Sequence, residues 1–212
     1  MANESADRPA RKRRSDGERS REAILRTAAQ LVTVEGIGGL SIGRLAEAVG
    51  MSKSGLFAHF GSKEELQLAT IEAANALYDE QVVDPALTAP TGIERLNALV
   101  DNYMRHVEEH VYPGGCFFAS VIPELDTHPG AVRDSALAFM GSWLGHIERA
   151  IRDAQAEGAI DPAADPEQLL FEVEAAMMLA NAMFVIAQEP TPLVRARQMI
   201  ARRLAEAAPA VA

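Results

Sequence analysis

Cysteine is almost missing from this chain. Cys116 is the only one in 212 residues, which rules out an internal disulfide and fits a reducing cytoplasm. Aromatic residues make up 5% of the chain, with Trp143 the single tryptophan. Runs of β-branched residues with alternating polarity hardly occur, so the usual strand signal is lacking. The longest uncharged stretch, Ala175 to Gln188, holds 14 residues, short of the roughly 20 that span a bilayer as a helix. No basic start followed by an apolar run marks a secretion signal. A cytoplasmic protein with no membrane partner is therefore expected.

What is present suits a helix-rich fold: 48% apolar and 24% charged residues, over a length sufficient for a small domain plus a larger one. Excess positive charge is also lacking, since the net charge is −10. The charge is unevenly spread. Residues 1–60 carry ten Lys/Arg against seven Asp/Glu, and residues 61–212 carry ten against twenty-three, giving +3 and −13. A basic end with an acidic remainder would orient the molecule on a polyanion. Both balances are also compatible with ordinary solvated surface.

Residues 41–66 carry the sharpest pattern. Ile42, Leu45, Ala46 and Val49 repeat at helical spacing and predict a short amphipathic helix. Gly50 suits the positive φ that ends a helix, and Ser52 suits the cap of the next. Ser62 opens a third. Two short helices joined by a tight glycine-containing turn form a helix-turn-helix, a DNA-reading device.

The stretch closely resembles the DNA-binding segment of the TetR family of bacterial transcriptional repressors. The resemblance is carried by Leu45-Ala46, by Gly50-Met51-Ser52 at the turn, and by Leu56-Phe57 and His59-Phe60 in the reading helix. Gly61 to Leu66 completes it. It covers roughly residues 20–66 and implies an all-α fold of about nine helices, with an effector pocket in the carboxy-terminal part.

The remaining boundaries follow from caps and breakers. Residues 1–15 lack apolar periodicity and are expected to form a disordered arm, with Arg11 to Arg14 as a basic cluster. This cluster is either a groove- or phosphate-binding arm or a solubilising tail. Residues 16–65 make the DNA-binding unit and 66–212 a helical ligand-binding and dimerisation unit. Ser15, Ser62 and Thr91 each stand three residues before a glutamate, the spacing of a capping box. The helix from Ser62 is expected to end near Val83, where Pro85 to Pro90 breaks it. A helix from Thr91 to about His110 follows, then a short one from Cys116 to Leu125 and a long one from Pro129 to about Glu157. Asp165-Pro166 and Thr191-Pro192 announce the last two.

At the reading helix, Ser52, Lys53, Ser54 and Gly55 occupy the end that faces base edges in the major groove. Lys53 can donate to guanine, and Ser54 can donate or accept. Gly55 costs about 1 kcal/mol of helix stability relative to alanine, so a close approach to DNA is one reason for it. Ser41, Arg44, His59 and Lys63 are phosphate candidates. Family members commonly have tyrosine where this chain has Phe57, so that phenol-to-phosphate bond is lost and Phe57 is read as core or as an apolar member of the interface.

His106-Val-Glu-Glu-His110 matches a metalloprotease string, with two histidines one helical turn apart and Glu109 as base. A third ligand is not indicated, so a zinc-dependent hydrolase is the alternative reading, and neither metal nor cofactor is expected. Cys116 fits a small buried hydrophobe better than a nucleophile. In the carboxy-terminal part Tyr103, Phe117, Met140, Trp143, Met177, Met178 and Phe184 are core residues or walls of an adaptable apolar pocket. Asn102, His106, Cys116, His146 and Asn181 would supply its polar groups. Expected partners are a palindromic double-stranded operator, a small hydrophobic effector and a second copy of the chain, paired through the last two helices.

Overall fold

The computed structural model describes residues 8–125, 127 and 129–209, and all regular structure among them is helical. The elements are α1 (Arg8–Glu35), α2 (Ile42–Val49), α3 (Lys53–Phe60), α4 (Lys63–Tyr78), α5 (Asp84–Leu87), α6 (Gly92–Glu108), α7 (Phe117–Leu125), α8 (Ala131–Ala156), α9 (Pro166–Ala187) and α10 (Thr191–Glu206). A π-helical turn, Asp79–Val83, joins α4 to α5. Taking Lys63–Leu87 as one continuous rod gives nine helices among the described residues, the expected number.

Three boundaries differ from expectation, two of them before the middle of the chain. Helix α1 begins at Arg8, so residues 8–15, expected to be disordered, have a helical backbone, and Ser15, expected to cap the helix, lies inside it. Alanine, arginine and lysine are strong helix formers and Pro9 falls in the first turn, where its missing N–H breaks no helical bond. Residues 1–7 of the expected arm lie outside the described residues. Pro85 does not end its helix either. The π turn ahead of it lets the Asp84 N–H reach Asp79 O, and this wider turn admits a residue that cannot donate.

The caps explain most other ends. Ser41, Ser52 and Ser62 each accept a hydrogen bond from the backbone N–H three residues on, and Thr91 with Glu94 completes a full capping box. Gly50 ends α2 at φ 67, a conformation that glycine adopts without penalty. Asp165 caps α9 as expected. Thr191 does not cap α10: the helix starts one residue earlier than a Thr191 cap would allow, with Pro190 before it.

Helices α1 to α3 enclose a small core of Leu25, Ala28, Val32, Leu45 and Leu56. Helix α4 lies along α1 and continues onto α8, so no linker separates the two halves of the chain. Helix α8 is the central rod of the second half, packed on α6, α7 and α9, while α9 and α10 form a closely packed pair at the far side.

Pairing through the last two helices is expected, yet their regular apolar stripes are largely internal. Leu169, Val173, Met177, Leu193, Ile200 and Leu204 are all buried within one chain. The same two helices expose a second apolar set on other faces: Phe171, Leu179, Met183, Ile186, Val194 and Met199. Because α9 is apolar on several faces, it is long and apolar enough by length and composition to cross a membrane, although its longest uncharged stretch is short. In this fold it packs against α6, α8 and α10.

Candidate nucleic-acid interface and effector site

Helix α3 is held by Leu56 and Phe60 beneath it, both buried, while Lys53, Ser54, Phe57, Ala58 and His59 stand in solvent. Phe57 is 56% exposed, which excludes the core reading of that residue. Ser52 Oγ accepts from Gly55 N at 3.1 Å and lies 3.3 Å from Ser54 Oγ. A Cβ at position 55 would sit 3.1 Å from Ser52 Oγ, so Gly55 has a local reason in the cap itself. The Lys53 stem passes over α2, since a Cβ on Gly43 would meet its Cε at 3.2 Å. Ser52, Lys53 and Ser54 therefore crowd the exposed amino end of α3, where the partial positive charge of the helix also favours an anion.

The phosphate candidates divide differently. Arg44 is engaged by Glu35 at the end of α1, through contacts of 2.6 to 3.0 Å. This ion pair ties α2 to α1 and holds the Glu35 carboxyl below its usual range. Lys63 Nζ donates to Gly38 O at 2.6 Å, and Ser41 Oγ is half-buried and occupied as the α2 cap. Of the candidates, Lys53, Ser54 and His59 present their polar ends most openly, and His59 stands one turn beyond Gly55 on α3.

The second half holds a cluster of rings around Tyr78. It meets His106, Phe118, Phe139 and Trp143 edge-on, with centroids 5.1 to 6.2 Å apart. Trp143 stacks on Tyr103, and Tyr112 approaches both His106 and Phe117. Trp143 Nε1 donates to Glu174 Oε2 at 2.9 Å, and burial pushes the Glu174 carboxyl up. His106 Nδ1 lies 2.9 Å from Gln81 Oε1, and burial lowers its imidazole to about 4. Burial raises the Cys116 thiol to about 11, which favours the neutral thiol at neutral pH and agrees with the reading of Cys116 as a small buried hydrophobe.

The proposed zinc string does not assemble. Helix α6 ends at Glu108 and His110 takes φ 52, so His106 and His110 do not share a helical face. His110 packs on Phe184, and no group of three metal-ligating side chains occurs among the described residues. The hydrolase alternative is dropped on that geometry.

A three-helix DNA-reading unit set on a larger helical domain is also what comparison with known proteins returns. Residues 92–200 match the profile described as "Tetracyclin repressor-like, C-terminal domain", and residues 24–70 match "Bacterial regulatory proteins, tetR family". The chain belongs to the TetR family of bacterial transcriptional regulators. A TetR regulator structure from Chloroflexus aurantiacus is similar at 26% identity and TM-score 0.82, covering 91% of this chain and 97% of that one. AibR, solved with isovaleryl coenzyme A and operator DNA, is 25% identical at TM-score 0.70, over 88% of this chain and 96% of that one. The transcriptional regulator AcuR of Cereibacter sphaeroides is 23% identical over 158 residues, 73% of this chain and 71% of that one.

In this TetR-family chain the remaining pocket candidates scatter. Asn102 donates to Val82 O and Asn181 Oδ1 accepts from Cys116 N, so both brace the backbone. Met177 and Phe184 are core, whereas Met140, His146 and Met178 are half-buried at helix surfaces. Tyr103, His106, Phe117 and Trp143 do converge, with Cys116 beside them. Sequence reasoning missed Tyr78 and Gln81, although both fall one turn apart on the helix facing α6. It also missed Glu124 of α7, whose two oxygens accept from Ile37 N at 2.8 Å and Gly38 N at 2.6 Å. That carboxylate holds the α1–α2 turn from the side of the second half. No spacing in the sequence signals a contact across 87 residues.

Proposed function

We propose that this regulator is a repressor acting as a homodimer on a two-fold operator, and that a small, mainly apolar effector releases it. In this reading residues 16–65 form the DNA-binding unit and 66–212 the effector and dimerisation unit, in the bacterial cytoplasm. The observation that carries the DNA half is the exposed, capped start of α3, with Lys53 and Ser54 in solvent above a buried Leu56 and Phe60. The residues proposed to face DNA are Ser41, Arg44, Ser52, Lys53, Ser54, Gly55, Phe57, His59 and Lys63, with Arg44 and Lys63 also bracing α1 and its turn. The exposed apolar faces of α9 and α10 support pairing, because a patch of this kind on a soluble surface calls for cover. The ring cluster around Tyr78 supports an apolar effector, as flexible and aromatic walls suit such ligands.

Selection of duplex DNA from a random pool tests the reading directly. The expected product is a palindromic site bound with an affinity that falls steeply with salt. Failure to enrich any site, or binding indifferent to salt, would overturn it.

A further inference from the structure

Tyr103 and His106 lie one turn apart on α6, so their side chains share a face. They are 3% and 4% exposed. Among the described residues, Tyr103 Oη and His106 Nε2 are the buried side-chain polar atoms with no hydrogen-bond partner. Leaving such atoms unpaired is costly, and a ligand that pairs both recovers that cost. The two sit in one ring cluster: Tyr78 meets His106 at 5.6 Å and Trp143 at 5.3 Å, and Trp143 stacks on Tyr103.

The partners already made define what is left over. Nδ1 of His106 lies 2.9 Å from the side-chain amide oxygen Oε1 of Gln81; with that oxygen accepting, Nδ1 carries the hydrogen and Nε2 offers a lone pair. Tyr103 offers an O–H. The site thus supplies one acceptor and one donor on the same helical face. Among the described residues no lysine or arginine is buried, so no cation lies in the core to balance an anion. Glu174 brings a further carboxyl to Trp143. A surface cleft of about 300 Å³ between α4 and α8, lined by Ile71, Asn75, Ala138 and Phe139, lies next to the cluster. Phe139, which lines the cleft, meets Tyr78 edge-on with ring centroids 5.1 Å apart.

We propose that the effector is an uncharged, compact molecule carrying a carboxamide, or an equivalent adjacent donor and acceptor, on an apolar body. Its carbonyl oxygen accepts from Tyr103 Oη, its N–H donates to His106 Nε2, and its apolar part lies among Tyr78, Trp143 and Phe139. An ionised carboxylate of the same shape is rejected, because it has no hydrogen for Nε2 and meets no cation. This rests on the reading of the second half as an effector domain, and it narrows that reading to a chemical class.

The test uses the full-length protein and matched pairs: benzamide against benzoate, phenylacetamide against phenylacetate, and isobutyramide against isobutyrate. Binding is followed by fluorescence of Trp143, the only tryptophan. At least one amide is expected to bind saturably, at least tenfold more tightly than its acid. Tyr103→Phe removes an unpaired hydroxyl, so it should fold with unchanged or higher thermal stability and bind that amide at least tenfold more weakly. Acids binding as well as amides, silence of every amide, or unchanged affinity in Tyr103→Phe would each overturn the proposal. Binding of selected operator DNA by the same samples reports on the regulator reading separately, since it needs no effector.

Discussion

Single side chains at the DNA face have separable duties. Lys53 is exposed at the start of α3 with no ion pair among the described residues, whereas Lys63 is hydrogen-bonded to Gly38 O. Lys53→Ala should cost about 1–3 kcal/mol on the selected operator and less on random duplex. Lys63→Ala should weaken both alike and make the salt slope shallower by about one unit, and it should also loosen the α1–α2 turn that Lys63 braces. Equal losses on both DNAs for Lys53→Ala would remove it from base recognition.

The buried imidazole makes a second prediction at this scale. His106 is lowered from 6.5 to about 4 by burial, so the unfolded chain binds a proton in that window more readily than the folded one. Its contribution to stability is therefore complete above pH 6.5 and lost as the pH falls toward 4. Glu174, raised by burial, acts with the opposite sign, favouring the fold at the acid end. Comparing wild type with His106→Gln isolates the histidine. The wild type should lose stability on acidification more steeply, by at most about 1.4 kcal/mol per pH unit, in urea titrations between pH 6.5 and 4. Parallel pH profiles would show that His106 does not titrate between the two states.

At the scale of elements, α7 connects the two halves of the chain. Phe117 and Phe118 anchor its start in the ring cluster, and Glu124 at its end grips Ile37 N and Gly38 N. From the other side, Lys63 Nζ holds Gly38 O and Gln67 Nε2 holds Ile37 O. A Cβ at Gly38 would come within 2.6 Å of Glu124 Oε1, so the turn needs glycine to admit the carboxylate. Helix α7 thus makes a packed connection between the ring cluster and the turn that leads into the helix-turn-helix. Glu124→Ala removes charge-assisted hydrogen bonds worth about 1.5–3 kcal/mol when buried, and less at this half-exposed place. The Ile37 and Gly38 amides should then exchange with solvent markedly faster, and an effector should shift operator affinity less than in wild type. Unchanged exchange at both amides would show that α7 does not hold the turn.

For the whole molecule, the decisive contrast lies between the two sides of α9 and α10. Leu179 is 65% exposed and Ile186 76%, whereas Ile200 is 4% exposed. If the exposed side is the homodimer surface, Leu179→Glu with Ile186→Glu should yield a folded monomer of near wild-type thermal stability that has lost tight operator binding. Ile200→Glu should instead unfold the chain, because it buries an unpaired charge. Sedimentation and thermal melts distinguish the two outcomes. A wild-type monomer at micromolar concentration would remove the dimer from the mechanism.

Local order in this protein was legible from the chain alone, because it depends on neighbours in sequence. The serine caps at 52 and 62, the left-handed Gly50, the Thr91–Glu94 box and the stripe of α2 all act within one helical turn. So did the reading helix, whose exposed face follows from Leu56 and Phe60 being buried. Tertiary structure alone decided the rest. Apolar periodicity marks a face as sticky but does not say what covers it, so the stripes of α9 and α10 proved internal and other faces were left exposed. Long-range pairings such as Glu124 with Ile37, Arg44 with Glu35, and His106 with Gln81 depend on how helices cross, which no local spacing encodes. The unpaired atoms of Tyr103 and His106 belong to that second class, since an atom is left without a partner only once every neighbour has been placed.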